Sequence, residues 1–172
     1  APARSNGAKV HAGPAVRQLM DSFARDWSFT TGEVLGAEVW WPPLVPEGAS
    51  FARGIRSGPD ADIDKLESIL GAALDAALER VRIVTPYCLP DERLLFAIAQ
   101  AALRGVMVEI VIPAHTDYFF LDWAMRAHLR FFEGAPAGIY LSPPPFDHAK
   151  LMTVDGQWCL VGSSNWDARS FR

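Results

Sequence analysis

An α/β sandwich with a mixed, mainly parallel sheet is the fold class predicted for these 172 residues. Three observations predict it. Short β-branched runs alternate with helix-length amphipathic segments through most of the chain, the pattern of strands crossed over by helices. Val106 to Ile112 is a near-continuous apolar run, expected of a strand covered on both faces. Asp155-Gly156 sits between two apolar runs and marks a tight hairpin, which puts an antiparallel pair into the sheet.

Taken in order, residues 14 to 27 suit an amphipathic helix, with Pro14 at its first turn and Val16, Leu19, Met20, Phe23 and Trp27 on one face. A Trp/Pro-rich connector follows, Val39-Trp40-Trp41-Pro42-Pro43, closing at Pro46-Glu47-Gly48. These features divide the chain into residues 1–48, a helix with its connector, and 49–172, the regular α/β region. A short strand is expected at Phe51 to Arg56. A helix from about Asp62 to Arg80 turns Ile63, Leu66, Leu70, Leu74 and Leu78 inward. Val81 to Thr85 is a strand halted by Pro86. Asp91 is placed to N-cap a helix that Gly105 ends. A helix over about Asp117 to Phe132, a strand near Ile139 to Leu141, and the hairpin strands Ala149 to Val154 and Gln157 to Val161 complete the pattern.

Half of the residues are hydrophobic and 21% are charged, so the chain is globular rather than disordered. A net charge of −4 argues against a general nucleic-acid surface. Cys88 and Cys159 have no metal-like spacing and read as two buried free thiols, with a disulfide as the alternative. No apolar run approaches the ~20 residues that span a bilayer. The chain begins Ala1-Pro2-Ala3-Arg4 without Met or a leader-like apolar core and stops at Arg172 without a polar tail, so both ends read as cut.

Chemistry concentrates in the last 25 residues: His148-Ala149-Lys150, Asp155 and Gly162-Ser163-Ser164-Asn165. Alternate strand residues share a face, so His148 and Lys150 point the same way. The hairpin returns Ser163 and Asn165 to them, collecting an imidazole, an ammonium, a hydroxyl and an amide. That set suits a phosphodiester. Neutral imidazole is a nucleophile near pH 7, imidazolium protonates a leaving alkoxide, and the lysine and amide hold phosphate oxygens. No carboxylate or His/Cys cluster asks for a metal or another cofactor, so lysine supplies the positive charge. Asp155 has two readings, direct chemistry or a turn residue, since Asp-Gly is itself the best hairpin turn. His11, His115 and His128 have no companion residues and read as incidental.

The HxKxxxxD and GSxN pattern, carried here by His148, Lys150, Asp155, Gly162, Ser163 and Asn165, resembles the phospholipase D superfamily. Gly13-Pro14-Ala15-Val16, Phe23-Ala24-Arg25-Asp26-Trp27, Ser57-Gly58-Pro59-Asp60, Thr85-Pro86-Tyr87 with Pro90-Asp91, and Asn165-Trp166-Asp167-Ala168-Arg169-Ser170-Phe171 are similar to the C-terminal half of bacterial cardiolipin synthases. The resemblance implies a phospholipase D-like α/β/α sandwich, one half of a two-lobed enzyme. It also implies that the parent joins two phosphatidylglycerols into cardiolipin, releasing glycerol, through a phosphohistidine. In that scheme the first motif supplies the nucleophile and His148 the acid and base. Implied partners are phosphatidylglycerol, a membrane surface and the missing first lobe; the implied location is the bacterial cytoplasmic membrane, with this piece itself soluble.

Two departures bear on activity. Only one motif is present, and the chain stops before the Glu that the family places shortly after Arg-Ser-Phe. This piece alone is therefore expected to be nearly inactive. A lipid hydrolase, a nuclease and a non-catalytic docking half are the competing readings. The apolar residues of 117–132 fit either a helix sandwiched in the core or a surface that meets lipid or the missing half. Trp40 and Trp41 invite the same two readings.

Overall fold

A computed structural model of the chain describes residues 13–57, 64–117, 119–132, 137–145 and 147–167. They divide into two units at Arg56/Ser57, eight residues beyond the expected boundary at 48/49.

In the first unit, helix α1 (Ala15–Thr31) stops where Gly32 takes φ 75° and returns its N–H to the Ser28 carbonyl at 2.8 Å. Its apolar stripe forms as the periodicity predicts, and Phe23 stacks on Trp27 at 5.9 Å between ring centroids. No residue of α1 is buried. The Trp41 indole N–H donates to the Leu35 carbonyl, and Gln18 accepts from the Gly54 amide. The strand expected at 51–56 is not formed; those residues join no ladder.

The second unit begins with α2 (Lys65–Ala76), shorter than the sequence pattern suggested. Ala77 turns extended at ψ 134°, and Leu78, expected inward, is 83% exposed. The expected start at Asp62 and Ile63 lies outside the described residues. Strand β1 (Arg80–Val84) leads to a short β2 (Cys88–Leu89) and then to α3 (Glu92–Leu103). The Asp91 carboxylate caps α3 by accepting from the Leu94 amide at 3.1 Å, and Gly105 follows its end at φ 93°. Next come β3 (Met107–Pro113), α4 (Phe119–Leu129) with a 3₁₀ turn over Arg130–Phe132, and β4 (Ala137–Ser142). The chain then runs through β5 (Leu151–Val154), β6 (Trp158–Val161) and β7 (Trp166–Asp167).

The main sheet has the order β4-β3-β1-β5-β6. Its first three strands are parallel, with Val81 opposite Val108 and Ile110 opposite Ile139. The β5–β6 hairpin adds two antiparallel pairings, with Val81 opposite Val154. Asp155 and Gly156 take φ 52° and 68°, the positive pair of a primed turn that the Gln157 amide closes on the Val154 carbonyl at 3.0 Å. Val154 pairs with Trp158, so Gln157, expected in the strand, is a third loop residue. Sequence pattern did not foresee the parallel pairing of β2 with β7, where Cys88 lies opposite Trp166.

One face of the sheet carries the core: Val81, Ile83, Val108, Ile110 and Met152 close with Leu70, Leu74, Leu94 and Ile98 of α2 and α3. Burying each such side chain stabilises by about 1.5–3 kcal/mol. The other face is a correction to the expected two-sided burial of β3. It bears an Arg82–Glu109 ion pair at 2.8 Å, and Met107 and Tyr140 are 50% and 52% exposed. Period-two alternation inside the apolar run put Met107 and Glu109 on that side. Both cysteines are free, but only Cys88 is buried; Cys159 takes an outward position of β6. Burial pushes the Cys88 thiol up to about 12, which leaves it unreactive.

Candidate active site

Parallel strands β1, β3 and β4 all end at one edge of the sheet, and the antiparallel hairpin brings the start of β5 and the end of β6 there too. Ligands in open α/β sheets bind outside the carboxyl ends of the strands. His148 and Lys150 stand at this edge just before β5, in a non-strand segment rather than on the expected strand. The Asp147 carboxylate accepts from the Ala149 amide at 2.9 Å, a local turn that sets the direction of His148. Beyond β6, the Gly162 amide donates to the Lys150 carbonyl at 3.2 Å, so the Gly162–Asn165 segment leaves the sheet beside the lysine.

His148 is exposed, whereas Lys150 is only 5% exposed. The Lys150 Nζ lies 2.9 Å from His148 Nδ1 and donates to the His148 carbonyl at 2.7 Å. Where the ammonium donates to Nδ1, that nitrogen is the acceptor of the neutral ring and the ring proton sits on Nε2. Partial burial, then the adjacent Lys150 charge, hold the imidazole below its ordinary value of 6.5, against the opposite pull of Asp117 and Asp147. Burial likewise holds the Lys150 ammonium below its usual range, with Asp147 opposing. The imidazole is therefore mainly neutral at pH 7 and sits beside a partly desolvated positive charge. That pair can exchange a proton and hold a phosphate oxygen.

Ser163 is exposed near the same edge, and the buried Asn165 Oδ1 has no hydrogen-bond partner among the described residues. An orphaned buried amide oxygen is costly unless a ligand or partner meets it. Two further residues join the group. Thr85 Oγ1 donates to the Tyr87 carbonyl at 2.9 Å and accepts from the Trp166 amide at 3.4 Å, which ties the end of β1 to β7. The Tyr87 ring stands edge-on to the His148 imidazole, with centroids 6.1 Å apart and planes at 75°. In the sequence, Thr85-Pro86-Tyr87 stands out only through the family resemblance, with no site role attached. The available signal was its place directly after an apolar strand, where site loops arise.

Asp155 is elsewhere. Its carboxylate accepts from the backbone amides of Leu78 and Glu79 at 2.9 Å and of Arg80 at 2.7 Å. It therefore sits at the opposite end of β5 from Lys150, about 16 Å away along an extended chain. Those three bonds hold the carboxyl below its ordinary range. Of the two readings the sequence leaves open for Asp155, these bonds favour the turn residue: it anchors the hairpin turn to the start of β1. Among the described residues, no group of three or more His, Cys, Asp or Glu side chains is placed to hold a metal ion.

Residues 70–172 match a family model described as cardiolipin synthase, PLD-like domain. A cardiolipin synthase of Geobacillus thermodenitrificans is 35% identical over 92% of this chain and 32% of its own length. The chain thus spans about a third of the curated relatives that it matches. Among solved structures, a phosphatidylserine synthase of Haemophilus influenzae superposes with TM-score 0.53 at 18% identity, over 62% of this chain and 29% of that one. The phospholipase D family member Nuc of Salmonella typhimurium gives 0.52 at 22% identity, over 60% and 66%. These two likenesses bear on the fold, which is the α/β fold expected.

Proposed function

We propose that this chain, which belongs to the PLD-like domain family of cardiolipin synthases, is one catalytic lobe of a phosphatidyltransferase. The observation that carries the reading is the His148–Lys150 pair, exposed imidazole against buried ammonium at 2.9 Å, at the carboxyl edge of the sheet. A phosphodiester placed there has a proton-transfer group and a positive charge within reach, with Ser163 and Asn165 beside them as further phosphate contacts.

The reaction joins two phosphatidylglycerols. A histidine of a second lobe attacks the phosphorus of the first and displaces its glycerol. His148 gives its proton to the departing alkoxide, and then takes one from the hydroxyl of the second phosphatidylglycerol as that oxygen attacks the phosphohistidine. The P–N bond breaks and cardiolipin leaves. Lys150 holds a non-bridging oxygen through both steps. Asp155 acts only by positioning the hairpin. In this reading the parent works at the bacterial cytoplasmic membrane, and the single-motif lobe by itself turns over little.

The test is product analysis of lipids after the two-lobed parent meets phosphatidylglycerol vesicles. Cardiolipin and glycerol are expected, and His148→Ala should cut the rate by about 10⁴-fold or more. Phosphatidic acid in place of cardiolipin would convert the reading to a hydrolase. Absence of any lipid product would send the site to phosphodiesters outside the membrane.

A further inference from the structure

The described face of α4 that looks away from the core is not a uniform apolar wrap. Met125, 2% exposed, faces inward, and its sulfur accepts from the Cys88 amide at 3.2 Å. The His128 ring nitrogen pairs with the Pro90 carbonyl at 2.8 Å, and Asp122 accepts from the Thr116 amide at 3.0 Å. These contacts use up the helix's inner side and its one carboxylate. At 100° per residue, the opposite side presents Phe120, Trp123, Ala127 and Arg130, with Arg126 at its flank. Phe120 and Trp123 are 54% and 76% exposed, and both arginines are exposed.

We infer that this face, Trp123 with Arg126 and Arg130, is where the lobe meets an anionic phospholipid surface. The inference rests on the phosphatidyltransferase reading and locates its membrane contact. Charge complementarity carries it: the chain as a whole is at −4, yet the charged side chains on the described outer side of this helix are both arginines, beside aromatic rings. Indole prefers the boundary between headgroups and acyl chains, and guanidinium pairs with lipid phosphate there. Position supports it as well. The inner side of α4 rests on β2, which begins directly after Tyr87, the residue whose ring stands against His148. A bilayer touching this face therefore lies next to the edge where a lipid headgroup must reach the histidine. No described helix is long and apolar enough to cross a membrane, so contact of this helix is along the surface.

The experiment is co-sedimentation of the 172-residue chain with phosphatidylcholine vesicles, with and without phosphatidylglycerol. Binding should require the anionic lipid. Reversing both arginines, Arg126→Glu with Arg130→Glu, should weaken it by about 25-fold or more, about fivefold per charge lost. Trp123→Ala should weaken it by about tenfold, while Trp40→Ala leaves it unchanged. All these side chains are exposed, so circular dichroism spectra should coincide. Equal binding by the arginine pair variant, or loss with Trp40→Ala in place of Trp123→Ala, overturns the inference. So does conversion of a dimer to a monomer by the α4 variants, which would make this a protein interface. Vesicle binding is read without turnover: if the parent made no lipid product but this dependence held, the transferase reading would fall and the surface would stand.

Discussion

The two ends of strand β5 are both polar and are built for opposite purposes. At one end Lys150 is buried against an exposed imidazole, and the Asn165 Oδ1 atom has no hydrogen-bond partner among the described residues. At the other end Asp155 is half-buried and saturated, with three backbone amides on its carboxylate. Groups left short of partners in a desolvated place keep capacity for a substrate. A carboxylate already satisfied by amides has none to spare, and serves to fix the strand that carries the other end. Motif membership alone does not separate these roles; hydrogen-bond saturation does.

The largest break in that contrast should come from Lys150→Met. It should lower phosphatidyl transfer by the parent about a hundred- to thousandfold, with the urea unfolding midpoint nearly unchanged because a long apolar chain of similar size replaces a buried stem. Measuring both quantities on one preparation checks it.

A smaller effect sharpens the same end through pH. The His148 imidazole titrates below 6.5, through burial and then the Lys150 charge. As pH rises through that midpoint the acid form disappears and the base form accumulates. Glycerol release in the first turnover should therefore fall across this range, and transfer to the second phosphatidylglycerol should rise. In Lys150→Met both midpoints should move up toward 6.5, read from rapid-quench and steady-state profiles.

The smallest effect on catalysis belongs to the other end. Asp155→Asn should lower thermal stability while leaving the rate per folded molecule close to that of the parent. The carboxyl is depressed in the fold, so its stabilisation is present above the ordinary value of 3.8 and is lost as pH falls through the lower folded value. The Tm gap between Asp155→Asn and the unsubstituted chain should thus be wide at pH 7 and close below pH 3.8. A gap that stays constant with pH would break the anchoring account.

Much of the fold could be read locally. Asp91 before α3, Gly105 after it and the Asp155-Gly156 turn each act through backbone groups within a few residues, so their spacing suffices. His148 and Lys150, two residues apart, do meet, though in a non-strand segment rather than through strand alternation. Where the sequence reading went astray, the deciding partner was remote. The helix expected to reach Arg80 ends at Ala76, where the amides that follow are taken by a carboxylate 75 to 77 positions away. Leu78 is carried outward with them. Strand β3 looked covered on both sides, yet Glu109 pairs with Arg82 across the neighbouring strand. Pairing of β2 with β7, only two residues each, is below what periodicity detects.

By itself, then, the sequence determined how the strands and helices alternate and that His148 and Lys150 are spaced to meet, because helix caps, turn chemistry and near-neighbour spacing are short-range. Only the tertiary structure decided which motif residue is an anchor, which side of α4 is left to solvent, and that Tyr87 and Thr85 stand with His148. Those outcomes depend on strand order and register, which bring distant segments to one sheet edge and send others to the opposite end.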